Sequence, residues 1–273
     1  MSASEAEAGT TLEAPQRAVG DPLLVISGLE VVFDQFRAID GIDLTVREGE
    51  LRFLIGPNGA GKTTIIDVVT GLTKPAAGSV QFGGLELVGR REHEIVRCGV
   101  GRTFQTATVF EELSVVENLD LAVNFRRPMR SLLRVRKGID EKVREVLATT
   151  RLEDLADRPA GVLSHGQRQW LEIGMLVAQD PRLLLLDEPV AGMSADEREL
   201  TGTLLRDLAQ RHTVVVIEHD MAFLRRFADQ VTVLHEGKIL VEGTVAQVQA
   251  DPRVQEVYLG RSKDRSHTEG KDT

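Results

Sequence analysis

The sequence predicts an α/β fold: a parallel sheet buried on both faces, an antiparallel β region ahead of it and a helical region inserted within it. Three observations carry that expectation. Predominantly apolar runs at Leu51–Ile55, Leu183–Leu186 and Val214–Ile217 have the texture of strands covered on both sides, because a half-exposed strand would alternate. Each run stops at polar residues, GPNGAGKTT, DEP and EHD respectively. Ligands of open parallel sheets bind beyond the carboxyl ends of the strands, so these ends should converge on one crevice. Ser114 with Glu117, and Ser164 with Gln167, have the spacing of capping boxes, in which each side chain covers an orphan amide at a helix start.

The elements follow in chain order. Residues 1–21 and 261–273 hold too little apolar surface to offset the entropy of ordering and read as disordered tails around a folded domain at 22–260. LLVISGLEVVF and RAIDGIDLTVREGE read as short alternating strands broken by Gly turns, paired antiparallel. LRFLI is the first buried strand, and TIIDVVTGL the helix beyond its glycine-rich loop. Residues from about 92 to 175 are helix-dominated, and the LLLL and VVVI strands complete the parallel sheet. No internal repeat or low-complexity tract interrupts this order.

Bulk properties narrow the function classes. The chain has 273 residues, 42% of them hydrophobic and 27% charged, ample for a buried core. A formal net charge of −9 argues against nucleic acid as a partner, since phosphodiester binding needs a basic face. A single cysteine, Cys98, excludes an internal disulfide and suits a reducing compartment. No apolar run reaches the roughly 18 residues of a membrane span, and the N-terminus lacks a basic and apolar leader. Any action at a membrane therefore passes through a partner.

The strongest chemical signal is Gly56-Pro57-Asn58-Gly59-Ala60-Gly61-Lys62-Thr63-Thr64, a phosphate-binding loop between a buried strand and a helix. Glycines let backbone amides wrap phosphates, Lys62 reaches the β and γ phosphates, and the Thr63 hydroxyl is a ligand for Mg²⁺. Asp187, at the end of LLLLD, is placed to hold the same ion. Glu188 beside it is the candidate base that polarises an attacking water. His219, at the tip of the next strand, is a candidate γ-phosphate sensor. Gln105, in GRTFQ, is a neutral oxygen ligand or water positioner. Gly166 costs roughly 1 kcal/mol in a helix but exposes bare backbone at a helix start, where an anion can bind.

Taken together, these residues resemble the ATP-binding subunits of ABC transporters, over about residues 23–260. GPNGAGKTT is similar to the family's Walker A, TFQ to its Q-loop, LSHGQ to its signature motif, LLLLDEP to its Walker B and VIEHD to its switch-histidine segment. The resemblance implies a P-loop NTPase (RecA-like) core with an antiparallel β subdomain and a helical signature subdomain. It implies ATP with Mg²⁺, the ion held by Thr63, Gln105 and Asp187, and an adenine stacked on Phe33. Ser164, Gly166 and Gln167 would face the γ-phosphate of ATP held by a second ATP-binding subunit, so that ATP joins two cassettes. Two departures stand out: His165 replaces the glycine of the commonest signature, and Ser194 stands where many members carry the D-loop Asp.

Within the family, GVGRTFQ, VFEELSVVENL and DPRVQEVYLG resemble the ATPases of branched-chain amino acid importers. SHGQ, QWLEIGM and PVAGM are most similar to the urea importer branch, so urea is the expected solute and branched-chain amino acids or short amides the alternative. Transmembrane permease subunits are then partners, a different chain is favoured as the second cassette with a second copy of this chain as the alternative, and the location is peripheral at the cytoplasmic face of the inner membrane. The basic stretch Arg126–Gly138 reads as a solvated linker, with lipid headgroups or permease loops as the other option. A non-transport ABC protein would bring long heptads or tandem cassettes, and a small-molecule kinase leaves LSHGQ unexplained.

Overall fold

The computed structural model describes residues 20–103, 109–125 and 138–257. Gln105, Arg126–Lys137 and nearly all of both expected tails lie outside the described residues.

The antiparallel region contains strands β1 (Pro22–Phe33), β2 (Phe36–Arg47), β4 (Ala77–Phe82) and β5 (Leu85–Glu86), in the order β2-β1-β4-β5. Its first two strands are longer than expected. Gly28 and Gly41 are bulge positions inside 12-residue strands, not turns between short ones. The β1–β2 register shifts between Ile26 and Leu29, and the freed Gly28 amide donates to Asp43 Oδ1 at 2.8 Å. A bulge adds twist while the ladder continues past it, and sequence alternation alone does not tell it from a turn.

The second sheet has the order β10-β9-β3-β8-β7-β6, built from β3 (Leu51–Ile55), β6 (Val100–Arg102), β7 (Leu183–Asp187), β8 (Thr213–Ile217), β9 (Gln230–His235) and β10 (Lys238–Gly243). All neighbours are parallel except β9 and β10. Strands β3, β7 and β8 are buried at every residue, in keeping with their largely apolar runs; the buried exceptions are Arg52, Asp187 and Thr213. Their side chains alternate between two cores. Phe53, Leu184, Leu186, Val214 and Val216 face the helical side, and Leu54, Leu183, Leu185, Val215 and Ile217 face the antiparallel sheet and helix α1 (Lys62–Val69). Each fully buried Leu or Val contributes about 1.5–3 kcal/mol over an exposed one.

The region expected to be helical needs one correction. Helix α2 (Glu92–Cys98) is followed by β6, which pairs with β7 and belongs to the main sheet. VGR is too short to carry a period, so only its partner identifies it as a strand. Helices α3 (Val115–Asn124), α4 (Glu141–Thr150) and α5 (His165–Val177) then form the helical part, packed through Leu119, Val146, Leu147, Leu171 and Ile173. Both expected capping boxes are present: Ser114 with Glu117 and Ser164 with Gln167. Helices α6 (Ala195–Leu208), α7 (Met221–Phe227) and α8 (Val245–Ala250) complete the chain.

Candidate functional site

The strand order places the chemistry. Ile217 at the end of β8 pairs with Asp187 on one side, and Leu54, one residue before the end of β3, pairs with it on the other. The phosphate loop, the Asp187-Glu188 pair and the Glu218-His219 pair therefore leave the same edge of the sheet from adjacent strands. That is the crevice expected from the three polar strand ends.

The loop residues Gly56–Gly61 carry the chain from β3 into α1. Gly61 is the N-cap of α1 at φ 102°, with no side chain capping the helix. A Cβ there would lie 2.5 Å from Ile39 Cδ1 and 2.9 Å from the Ala38 carbonyl, so both conformation and space demand glycine. The first amides of α1 thus have no side-chain partner at the cap, and the helix dipole adds positive potential. Lys62 Nζ donates to the Gly56 and Pro57 carbonyls at 2.8 and 3.0 Å, which holds the ammonium over the loop. A cavity of about 210 Å³ opens beside it, lined by Phe33, Phe36, Ala38, Gly59, Gly61, Lys62, Thr63 and Thr64. Phe33 and Phe36 are 48% and 63% exposed, apolar faces left uncovered at the mouth of a polar loop. Phe36 escaped the sequence reading, although it is an aromatic in the same hairpin as Phe33.

Across the crevice, Asp187 is 8% exposed. Burial lifts its carboxyl above the ordinary range, and the Arg102 guanidinium opposes that lift. Arg102 pairs with Asp67 of α1 and stands 3.9 Å from Asp187 Oδ2. The neighbouring Thr103 accepts the Asp187 amide on its hydroxyl at 3.3 Å. The segment leading to Gln105 is therefore rooted on the Asp187 strand end, a link that neither residue announced in the sequence. Glu188 adopts φ 49°, unusual for a residue with a side chain, and its Oε1 lies 3.4 Å from His219 Nδ1. Buried Glu218 accepts from the Val190 and His219 amides at 3.2 and 3.1 Å; burial raises its pKa, and these amides oppose the rise.

The donor set suits a nucleotide with a hard divalent ion. Mg²⁺ takes one or two carboxylates with phosphate oxygens and water, and the Thr63 hydroxyl with the buried Asp187 at the same edge of the sheet offers such a set. When bound, the ion would neutralise phosphate charge.

Ser164, Gly166 and Gln167 form the start of α5 rather than part of this crevice. Ser164 accepts the Gln167 amide at 3.2 Å, and Gln167 Oε1 accepts the Ser164 amide at 3.0 Å. The reason for Gly166 is visible within the chain: a Cβ there would sit 2.4 Å from Glu197 Oε1. The close approach that this glycine permits is first that of Glu197, which also receives the Ser164 hydroxyl at 3.3 Å. Ser194 caps α6 in a box with Glu197.

Among the described residues, no helix is long and apolar enough to cross a membrane. Residues 39–191, more than half the chain, match the family model described as ABC transporter, and residues 238–264 match that of the branched-chain amino acid ATP-binding cassette transporter. The chain is 36% identical over 254 residues to the high-affinity branched-chain amino acid transport ATP-binding protein BraF of Pseudomonas aeruginosa, covering 88% of this chain and 99% of that protein. It is 34% identical to the corresponding LivG protein of Escherichia coli, over 89% of this chain and all of the relative. A crystal structure of the ADP conformation of an ATP-binding cassette of an ABC transporter superposes with a TM-score of 0.78 at 32% identity, covering 88% of this chain and 99% of the other.

Proposed function

The chain belongs to the ABC transporter family as an ATP-binding subunit, and is therefore an ATPase; from that premise we propose that it powers uptake of branched-chain amino acids through separate membrane permease subunits. The convergence of the phosphate loop, Asp187, Glu188 and His219 at adjacent strand ends supports the ATPase mechanism. The C-terminal match and the relatives' names support the solute. They favour this alternative over urea, which the signature segment alone suggested.

In this reading the Gly56–Thr64 loop cradles the phosphates, Lys62 turns from the Gly56 and Pro57 carbonyls to the β and γ phosphates, and Phe33 with Phe36 receives the adenine. Thr63, Asp187 and Gln105 would hold Mg²⁺, which would neutralise phosphate charge. Glu188 orients and polarises the water, and His219 senses the γ-phosphate while contacting Glu188. Ser164, Gly166 and Gln167 serve the ATP of a second cassette, a different chain, so that neither site is complete alone. The subunit sits peripherally at the cytoplasmic face of the inner membrane, held by its permeases.

The test is uptake of radiolabelled leucine and of radiolabelled urea by cells carrying Lys62→Ala in place of the native chain. Loss of leucine uptake alone is the expected result. Loss of urea uptake alone would return the solute to urea, and no change in either would overturn both solutes.

A further inference from the structure

His165 is the residue that departs from the commonest signature, and the structure gives it a partner outside its own helix. Its Nε2 lies 3.0 Å from the Ala191 carbonyl. A carbonyl only accepts, so the imidazole carries its proton on Nε2 and donates. The ring rests against Gly192, where an added Cβ would meet Nε2 at 3.4 Å. Ala191 is held from the other side as well, its amide donating to the Glu188 carbonyl at 3.1 Å. The preceding Val190 amide is fixed by Glu218, which also holds the His219 amide. A chain of contacts thus runs from His219 and Glu188, through Ala191, to the first residue of the signature helix.

We infer that His165 is a positioning residue: it ties the signature helix to the segment carrying Glu188, so that the half-site this chain lends to another cassette is set by the half-site it keeps. The inference rests on the proposed trans role of Ser164 and Gly166. A glycine at position 165 has no donor that can reach Ala191, so in this chain the histidine supplies a link that the commonest signature lacks. The two helices do not depend on it for their packing. Trp170 Nε1 donates to Thr201 Oγ1 at 2.8 Å in the buried contact between α5 and α6, so substitution of His165 leaves the fold standing and changes the placement of residues 188–192 relative to Ser164.

The experiment is steady-state ATP hydrolysis by the complete transporter carrying His165→Ala, His165→Gly or His165→Gln, with ATP affinity measured on the separate chain by a fluorescent analogue. Alanine and glycine lower kcat about three- to tenfold, as expected for one lost hydrogen bond that orients a reacting group, and leave the affinity unchanged. Glutamine, whose side-chain amide can donate to the Ala191 carbonyl, recovers most of kcat. Wild-type kcat in the alanine variant, or an equal loss with alanine and glutamine, overturns the inference. Ser164→Ala, run in parallel, separates the two readings. If it lowers turnover while His165→Ala does not, only the link fails; if both are silent, the trans role of the signature fails with it.

Discussion

Two helix starts in this molecule, both proposed to meet phosphate, are built in opposite ways. Helix α1 begins at Gly61 with no side-chain cap, and its first residue is the buried Lys62. Helix α5 begins at Ser164 with a complete capping box, and the Glu197 carboxylate stands against Gly166. The first has no side-chain cap and holds a cation over its loop, bonded to the Gly56 and Pro57 carbonyls; the second has met part of its own need and keeps a negative charge beside its N-terminus. Affinity for nucleotide should therefore reside at α1. The start of α5 becomes useful when a second surface brings a phosphate close enough to compete with Glu197. That difference is what a site shared between two chains requires, since a signature helix that bound anions strongly alone would not report the presence of its partner.

The sharpest break in this comparison is at the reacting group. Glu188→Gln should bind ATP and Mg²⁺ normally and hydrolyse on the order of 10²–10⁴ times more slowly. Mixed with its partner cassette, it should elute as a pair on a sizing column with ATP; elution of separate chains under saturating ATP counts against the shared site. Lys62→Ala removes the cation at α1 and should weaken ATP binding about 100-fold, read by equilibrium binding of a labelled analogue. Unchanged affinity would take Lys62 out of the phosphate site. Ser164→Ala touches the other helix start, and should lower kcat about tenfold while the separate chain binds ATP as before. An equal loss of affinity and turnover would make the two helix starts one site.

The smallest effect concerns stability. Glu172, on α5, has its carboxyl pushed up to about 6 by burial, with His165 and Arg168 opposing the rise. A raised pKa means that the folded state favours the protonated form. The associated stability is full below the unfolded value of 4.5 and is lost as pH rises through about 6. Glu172→Gln should therefore raise the melting temperature at pH 8 and leave it nearly unchanged at pH 4. The gain is about 1 kcal/mol after discounting for the solvent that still reaches the group. A gain equal at both pH values would place its cause outside ionisation.

Most of the main sheet was legible because strands buried on both faces are apolar at nearly every residue: Leu183–Leu186 and Val214–Ile217 are so throughout, and Leu51–Ile55 is broken only by Arg52, whose buried guanidinium pairs with Glu50 and Glu242. The phosphate loop was legible for a similar reason: its chemistry depends on local backbone, and local backbone is written in glycine spacing. Phe36, Arg102, Thr103 and Glu218 were not, because each matters through a partner distant in sequence. The exposed Phe36 has no pattern to mark it, and Arg102 gains its meaning from Asp67 and Asp187. Strand β6 likewise exists because β7 offers it a ladder, and the Gly28 bulge because Asp43 receives the freed amide.

The sequence by itself determined the α/β class, the buried strands, the helix caps and the chemical type of the site, since each follows from side-chain pattern within a few residues. Only the tertiary structure decided which strand tips adjoin, what stands against Gly166 and where His165 bonds. Those outcomes depend on the order of strands in the sheet and on the packing of α5 against α6. Contacts between residues far apart in the chain are set by the summed burial of whole elements, and no local run of sequence carries that sum.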